Sequence, residues 1–226
     1  MSKSQSMSIK LSREYVQAIL AGRKSMHRMV IKPQPIIDED SGYVFSGNRK
    51  KIYKNDIHHP PWQEGFMDDF YPFLEGDVLW VKEKWGEVTV INSTTFKKLP
   101  TKFRYEADLK QIIEGHDRFE SSSTMPIEAA RIFLKVKEVR IARLQDITEE
   151  DAVKEGVEMT SNSKRLKLWR IYTSTFGFQA NTALWSYQSL WEKANGGESW
   201  ENNPWVWVFS FDVLTTTGAG AKTSRK

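Results

Sequence analysis

The chain has 226 residues, 33 Lys and Arg against 29 Asp and Glu, a formal charge of +4, nine Trp and no cysteine. Its mean hydropathy is −0.54 and its pI is near 9.1. Disulfides and thiolate chemistry are excluded, no apolar run reaches membrane-spanning length, and the mild basic excess is compatible with nucleic acid without requiring it.

Met1 to residue 7 is polar, lacks the apolar core of a secretory signal, and is expected to be a disordered lead to a cytoplasmic protein. Ser8-Ile9-Lys10-Leu11 predicts a short strand. Ser12 follows as an N-cap, with Glu14 in the first turn and the i,i+4 pairs Tyr15/Ile19 and Val16/Leu20 forming one apolar stripe. Gly22 is placed to end this helix. The exit carries Arg23, Lys24, His27 and Arg28 within six residues. Such a turn suits a phosphate, a base edge or a carboxylate. It equally suits a basic helix end that complements its own dipole. Met26 to Lys32 is extended, and Pro33-Gln34-Pro35 blocks a helix.

Ile36 to Tyr71 lacks periodicity and is expected to be an insertion, with one hairpin around Ser46-Gly47-Asn48. His58-His59 inside it invites a metal. Neighbours on an extended chain point opposite ways, and no further ligand lies at the right spacing, so neither metal nor cofactor is expected. Glu75-Gly76-Asp77 is a turn. Val78 to Glu83 is a strand apolar on both faces, leaving Lys82, Glu83 and Trp85 at its end as ion-pair partners or as a site wall. Glu87 to Ser123 is a second insertion, with a strand at Phe103-Arg104-Tyr105 and a helical turn over Asp108 to Glu114.

Met125-Pro126 turns into a long strand in which Ile132, Leu134 and Val136 alternate with Phe133, Lys135 and Lys137, continued by Arg140 to Leu144. Thr148 caps a helix with acids in its first turn, Asp151 stands at the capping-box position, and Glu155-Gly156 ends it. Glu155 is thereby a carboxylate at the dipole's negative end. It needs a partner or a role unless solvent simply covers it. Residues 161–179 give no clear element. Thr182 to Ala194 predicts an amphipathic helix carrying Leu184, Trp185, Leu190 and Trp191, closed by Asn195-Gly196-Gly197. Trp205, Trp207, Phe209 and Phe211 share one face of a last strand, as sheet core or as a base-stacking platform. The tail from Leu214 to Lys226 is expected to be disordered and basic.

Five landmarks stand in order: the helix ending Gly22-Arg23-Lys24, the strand Gly76-Asp77-Val78-Leu79-Trp80-Val81-Lys82-Glu83, the Met125-Pro126 turn, Leu144-Gln145-Asp146-Ile147-Thr148-Glu149-Glu150-Asp151-Ala152, and Asn203-Pro204-Trp205-Val206-Trp207-Val208. In these the chain resembles the ASCH domain family, and especially its larger bacteriophage and prophage members, from about Ser8 to Val213. The resemblance implies an α+β, PUA-like curved β-barrel with a mainly antiparallel sheet, short flanking helices and the two insertions. It also implies an RNA- or nucleotide-binding cleft around Lys24.

One branch of that family is an amidohydrolase that deacylates N4-acetylcytidine with a Lys, a Thr and a Glu. By resemblance the Lys is Lys24 and the Glu is Glu155. The Thr position holds His27, and a family Arg position holds Met29 beside Arg28. In the hydrolytic version Lys24, His27 and Glu155 are catalytic, with His27 as a base for water. In the binding version Arg23, Lys24 and Arg28 contact phosphate, Lys82 and Glu83 line the wall, and Trp85 stacks on a base. A third possibility is a protein-interaction factor that acts on a host nucleic-acid system through a host protein. A monomer is expected.

Overall fold

The computed structural model describes residues 7–38, 43–45, 52–54, 72–88, 102–110, 118–162, 167–174 and 177–217. The architecture is α+β, with short helices and several sheets. The chain divides into two compact units. The first takes Met1–Arg23, Asp77–Lys135 and Asp212–Lys226, and the second takes Lys24–Gly76 and Val136–Phe211. Among the described residues no sheet closes into a ring, and no helix is long and apolar enough to cross a membrane.

In the first unit, β1 (Met7–Lys10) runs parallel to β6 (Val78–Lys82), and β6 pairs antiparallel with the start of β9 (Phe133–Arg143). Leu79, Trp80 and Val81 are all buried, as a strand covered on both faces requires. Between β1 and β6 in sequence lies α1 (Arg13–Leu20), which buries Tyr15, Val16, Ala18 and Ile19. Its end is a Schellman turn. Gly22, at φ +69°, donates to Ile19 O, and the Arg23 amide reaches Ala18 O at 2.9 Å. Ser12 occupies the N-cap position, but its hydroxyl makes no capping bond and is buried without a partner. A second sheet pairs β7 (Trp85–Val88) with β8 (Lys102–Tyr105). Trp80, Trp85, Met125, Ala129, Ala130 and Phe133 form this unit's apolar cluster.

In the second unit the rest of β9, then β13 (Trp205–Thr215), then β2 (Met26–Val30) lie side by side. The register sets His27 opposite Phe209 and Arg28 opposite Val208. The second unit also holds two three-stranded sheets. One contains β3 (Ile36–Asp38), β4 (Tyr43–Phe45) and β5 (Ile52–Lys54). The other contains β10 (Met159–Asn162), β11 (Lys167–Arg170) and β12 (Gln179–Ala180). Strands β4 and β5 pair antiparallel, as the expected hairpin demands, while its turn and His58-His59 lie outside the described residues. Helix α2 (Glu149–Lys154) starts as expected, with Thr148 Oγ1 accepting from the Asp151 amide at 3.1 Å. Helix α3 (Ala183–Asn195) follows β12.

Most of the turn expected over Asp108 to Glu114 lies outside the described residues; within them a 3-10 turn occupies Glu106–Asp108 and Leu109 is extended. Two expectations change, the inward face of α3 and the end of β13. In α3 the inward residues are Ala183, Ser186, Tyr187, Leu190 and Trp191, whereas Trp185 is 49% exposed. Two Trp in one helix outweighed the small residues that mark the buried face. Of the two readings of β13, sheet core holds: Trp207, Phe209 and Phe211 are buried with Val206 and Val208, which leaves no stacking platform there. Finally, β13 runs to Thr215, past the expected start of the tail.

The two helix starts give contrasting predictions. Thr148→Ala removes a formed cap and should cost about 1 kcal/mol. Ser12→Ala removes a buried hydroxyl that caps nothing and should leave stability unchanged or slightly raised. Urea midpoints at constant m-value distinguish the two.

Candidate functional site

The site belongs to the second unit, and a backbone junction creates it. The Ser25 amide donates to Lys154 O, at the last turn of α2, and Ser25 O accepts from the Phe211 amide, both at 2.9 Å. This binds the start of β2 to the end of α2 and brings Lys24 to that end. Lys24 Nζ then donates to Met26 O at 2.7 Å, Glu155 O at 3.0 Å and Glu155 Oε2 at 2.6 Å. Three acceptors around one nitrogen require an ammonium, since a neutral amine has only two hydrogens. Lys24 thus complements the dipole of α2, not that of the helix it follows.

Glu155 is fully buried. Its second oxygen, Oε1, accepts from Arg28 Nη1 at 3.1 Å, and Arg28 Nη2 donates to Asp151 Oδ2 at 2.6 Å. Arg140 Nη2 meets the same Asp151 oxygen at 2.8 Å from the half-exposed side. Asp151 and Glu155 are four apart, so one helical face presents both carboxylates. Two buried cations, Lys24 and Arg28, balance these two buried anions. His27 Nδ1 lies 3.8 Å from Glu155 Oε2, and the imidazole meets the Phe209 ring edge-on at 5.6 Å.

Electrostatics follows from that packing. Burial alone would raise the Glu155 carboxyl, but Lys24, with His27 and Arg28, overrides it and brings the group down to about 2. Burial lowers His27, and the Lys24 charge lowers it further against the pull of Glu155, so the imidazole is neutral at pH 7. Burial likewise lowers Lys24 despite Glu155. Arg28 loses by burial but is raised by Glu155 and Asp151, and it stays charged. The cluster is therefore a set of fixed charges beside one neutral, titratable ring.

Of the sequence-predicted residues, Lys24, His27, Arg28 and Glu155 converge here. Lys24 and Arg28 are 2% exposed and carboxylate-paired, an arrangement unlike exposed phosphate contacts. Arg23 is half-buried in the first unit, its amide spent on the α1 turn. Lys82 Nζ sits 4.9 Å over the Trp80 ring. Glu83 is held by Arg131 through two bonds of 2.9 and 2.8 Å, and Arg131 in turn stacks 3.8 Å from the Tyr105 ring centre. Trp85 is buried in the apolar cluster of the first unit. Met29 is half-buried opposite Trp207. Sequence reasoning missed Asp151 and Arg140 as members of the site; the i,i+4 spacing of Asp151 from Glu155 was the available signal. Among the described residues no group of three or more His, Asp or Glu could hold a metal. No family model, curated protein or solved structure matches the chain.

Two predictions follow from the charges. Glu155→Gln leaves Lys24 and Arg28 short of a buried counter-charge and should cost about 3–5 kcal/mol. Combining it with Lys24→Met should cost less than the two single changes summed, read from a double-mutant cycle in urea. The second concerns pH. His27 and Glu155 are both lowered by folding, so both stabilise above their unfolded values of 6.5 and 4.5 and lose that stabilisation as pH falls. Stability should therefore decline below pH 6.5 and again between 4.5 and 2, with the upper limb flattened in His27→Gln.

Proposed function

We propose that this chain is an ASCH-type protein with a PUA-like fold that acts on RNA or a nucleotide, and that the His27 centre hydrolyses the exocyclic amide of an acylated cytidine. The observation that carries the reading is His27 Nδ1 standing 3.8 Å from the buried Glu155 Oε2, with Glu155 fixed by Lys24 and Arg28. The ligand class rests on the sequence resemblance.

The chemistry is one of proton transfer. A carboxylate facing Nδ1 favours the tautomer with hydrogen on Nδ1 and leaves Nε2 as the base. His27 Nε2 takes a proton from water as the water oxygen bonds to the acyl carbon. The carbon–nitrogen bond then breaks, and the proton on Nε2 passes to the departing cytosine amine. Glu155 stabilises the transient imidazolium by its nearby negative charge. Lys24 has every ammonium hydrogen bonded, so it is a positioning residue for Glu155 and not the acid for the leaving group. Arg28 and Asp151 hold the other oxygen of Glu155 and are positioning residues as well.

A second reading, a nucleotide or RNA reader without turnover, is favoured by the same saturation of Lys24. A centre whose strongest acid is fully engaged can serve as a structural support for a binding surface.

Mass spectrometry of modified nucleosides, N4-acetylcytidine among them, separates the two. The hydrolytic reading expects deacylated product from the wild type and a fall of about 10²–10⁴ in kcat/KM for His27→Ala. Activity should persist below pH 6.5, the ordinary histidine value, because the active form is the neutral ring and burial extends its range downward. A folded wild type that yields no product while binding RNA in a salt-dependent manner would replace this reading with the second.

A further inference from the structure

The first unit contains a cavity of about 500 Å³ that the preceding chemistry does not use. Its walls include Trp85, Gly86 and Glu87 of β7, Arg104 of β8, and Arg118 and Glu120. The cavity arises where two backbones part. Trp85 and Glu120 exchange both ladder bonds, N to O at 3.4 Å and 2.7 Å. The pairing stops there. In an antiparallel ladder the next residue to face that side is Glu87, two along. Its amide is therefore turned toward the opening rather than toward β8.

Arg104 is fixed in the wall. Gly86 lies directly opposite it in the register. With no Cβ on Gly86, the Arg104 side chain lies down against the backbone; a Cβ there would sit 3.0 Å from Nε and 3.4 Å from Cγ. The guanidinium carbon lies 4.9 Å from the centre of the Phe119 ring, and Nη2 donates to Arg118 O at 2.6 Å. A carbonyl orients the guanidinium but does not neutralise it. The Trp85 side chain is 8% exposed, and its indole N–H is buried without an acceptor. The wall thus combines a preorganised guanidinium, a second arginine and an outward amide. Donors of this kind match oxygen acceptors that carry negative charge.

We propose that this cavity binds a small organic anion through a phosphate or carboxylate head group, with Arg104 as the principal contact and Arg118 as the second. Glu87 and Glu120 at the walls disfavour polyanions and favour a ligand whose remainder is neutral or carries an amine. All the residues involved lie in the first unit, so the proposal does not depend on the His27 chemistry.

The test uses the full chain, labelled with nitrogen-15, and follows the Trp85 indole resonance, assigned with Trp85→Phe. Two probes are titrated: glycerol phosphate and succinate. Saturable movement of the Trp85 signal by either probe is expected, and the preferred probe identifies the head group. Arg104→Gln should weaken binding about ten- to hundredfold, the loss of one or two charged hydrogen bonds. Gly86→Ala should weaken it while leaving every charge in place, because the added methyl displaces Arg104. Both variants should keep the wild-type pattern of the remaining indole signals, which shows that they fold. Absence of saturable movement with both probes, or equal affinity in the wild type and Arg104→Gln, would overturn the proposal.

Discussion

A carboxylate with no access to water must be surrounded by positive charge, and Glu155 sets that requirement for the second unit. Its oxygens are taken by Lys24 and Arg28, and the geometry of these two cations depends on β2 lying at the end of α2. The Ser25 bonds to Lys154 and Phe211 supply that placement through the backbone alone. The strand, the helix end and the charge set are one arrangement. Removing any of the charged groups leaves another buried without compensation.

The same arrangement determines what His27 can do. A histidine near a buried carboxylate would ordinarily be drawn toward its charged form. Here Lys24 and Arg28 neutralise the carboxylate first, and burial prevails over the remaining attraction. The ring keeps a lone pair at neutral pH. A hydroxyl at this position would have needed a base of its own, whereas an imidazole is one.

Much of the fold was legible where local chemistry decides the outcome. Gly22 after an apolar stripe ends α1, Thr148 with Asp151 begins α2, a continuous apolar run marks β6, and period-2 patterns mark β9 and β13. The convergence of Lys24, Glu155 and His27 was legible only through the resemblance, because the residues concerned are 131 positions apart in the Lys24–Glu155 pair. The inward face of α3 departs from its apolar pattern because Trp185 is large but exposed, while Ser186 and Ser189 are buried and bonded to the backbone at Arg170 O and Ser186 O. Hydrophobicity alone ranks these residues in the wrong order. The spacing of Asp151 from Thr148 predicts a capping role, and its backbone amide is capped by Thr148 Oγ1. Its side chain had a second use that depends on Arg28 and Arg140, both far away in sequence or across a strand.

Helix α2 has six residues, too few to persist in water without outside support. Its support is the charge set itself, since Asp151 near its start and Glu155 at its close are both tied to β2. Selection for a folded chain would retain these residues even in a lineage that had abandoned all turnover. The presence of the lysine, the arginine and the two acids in a related sequence would then testify to architecture first. The position that reports on chemistry is the one the charges do not constrain, which is His27.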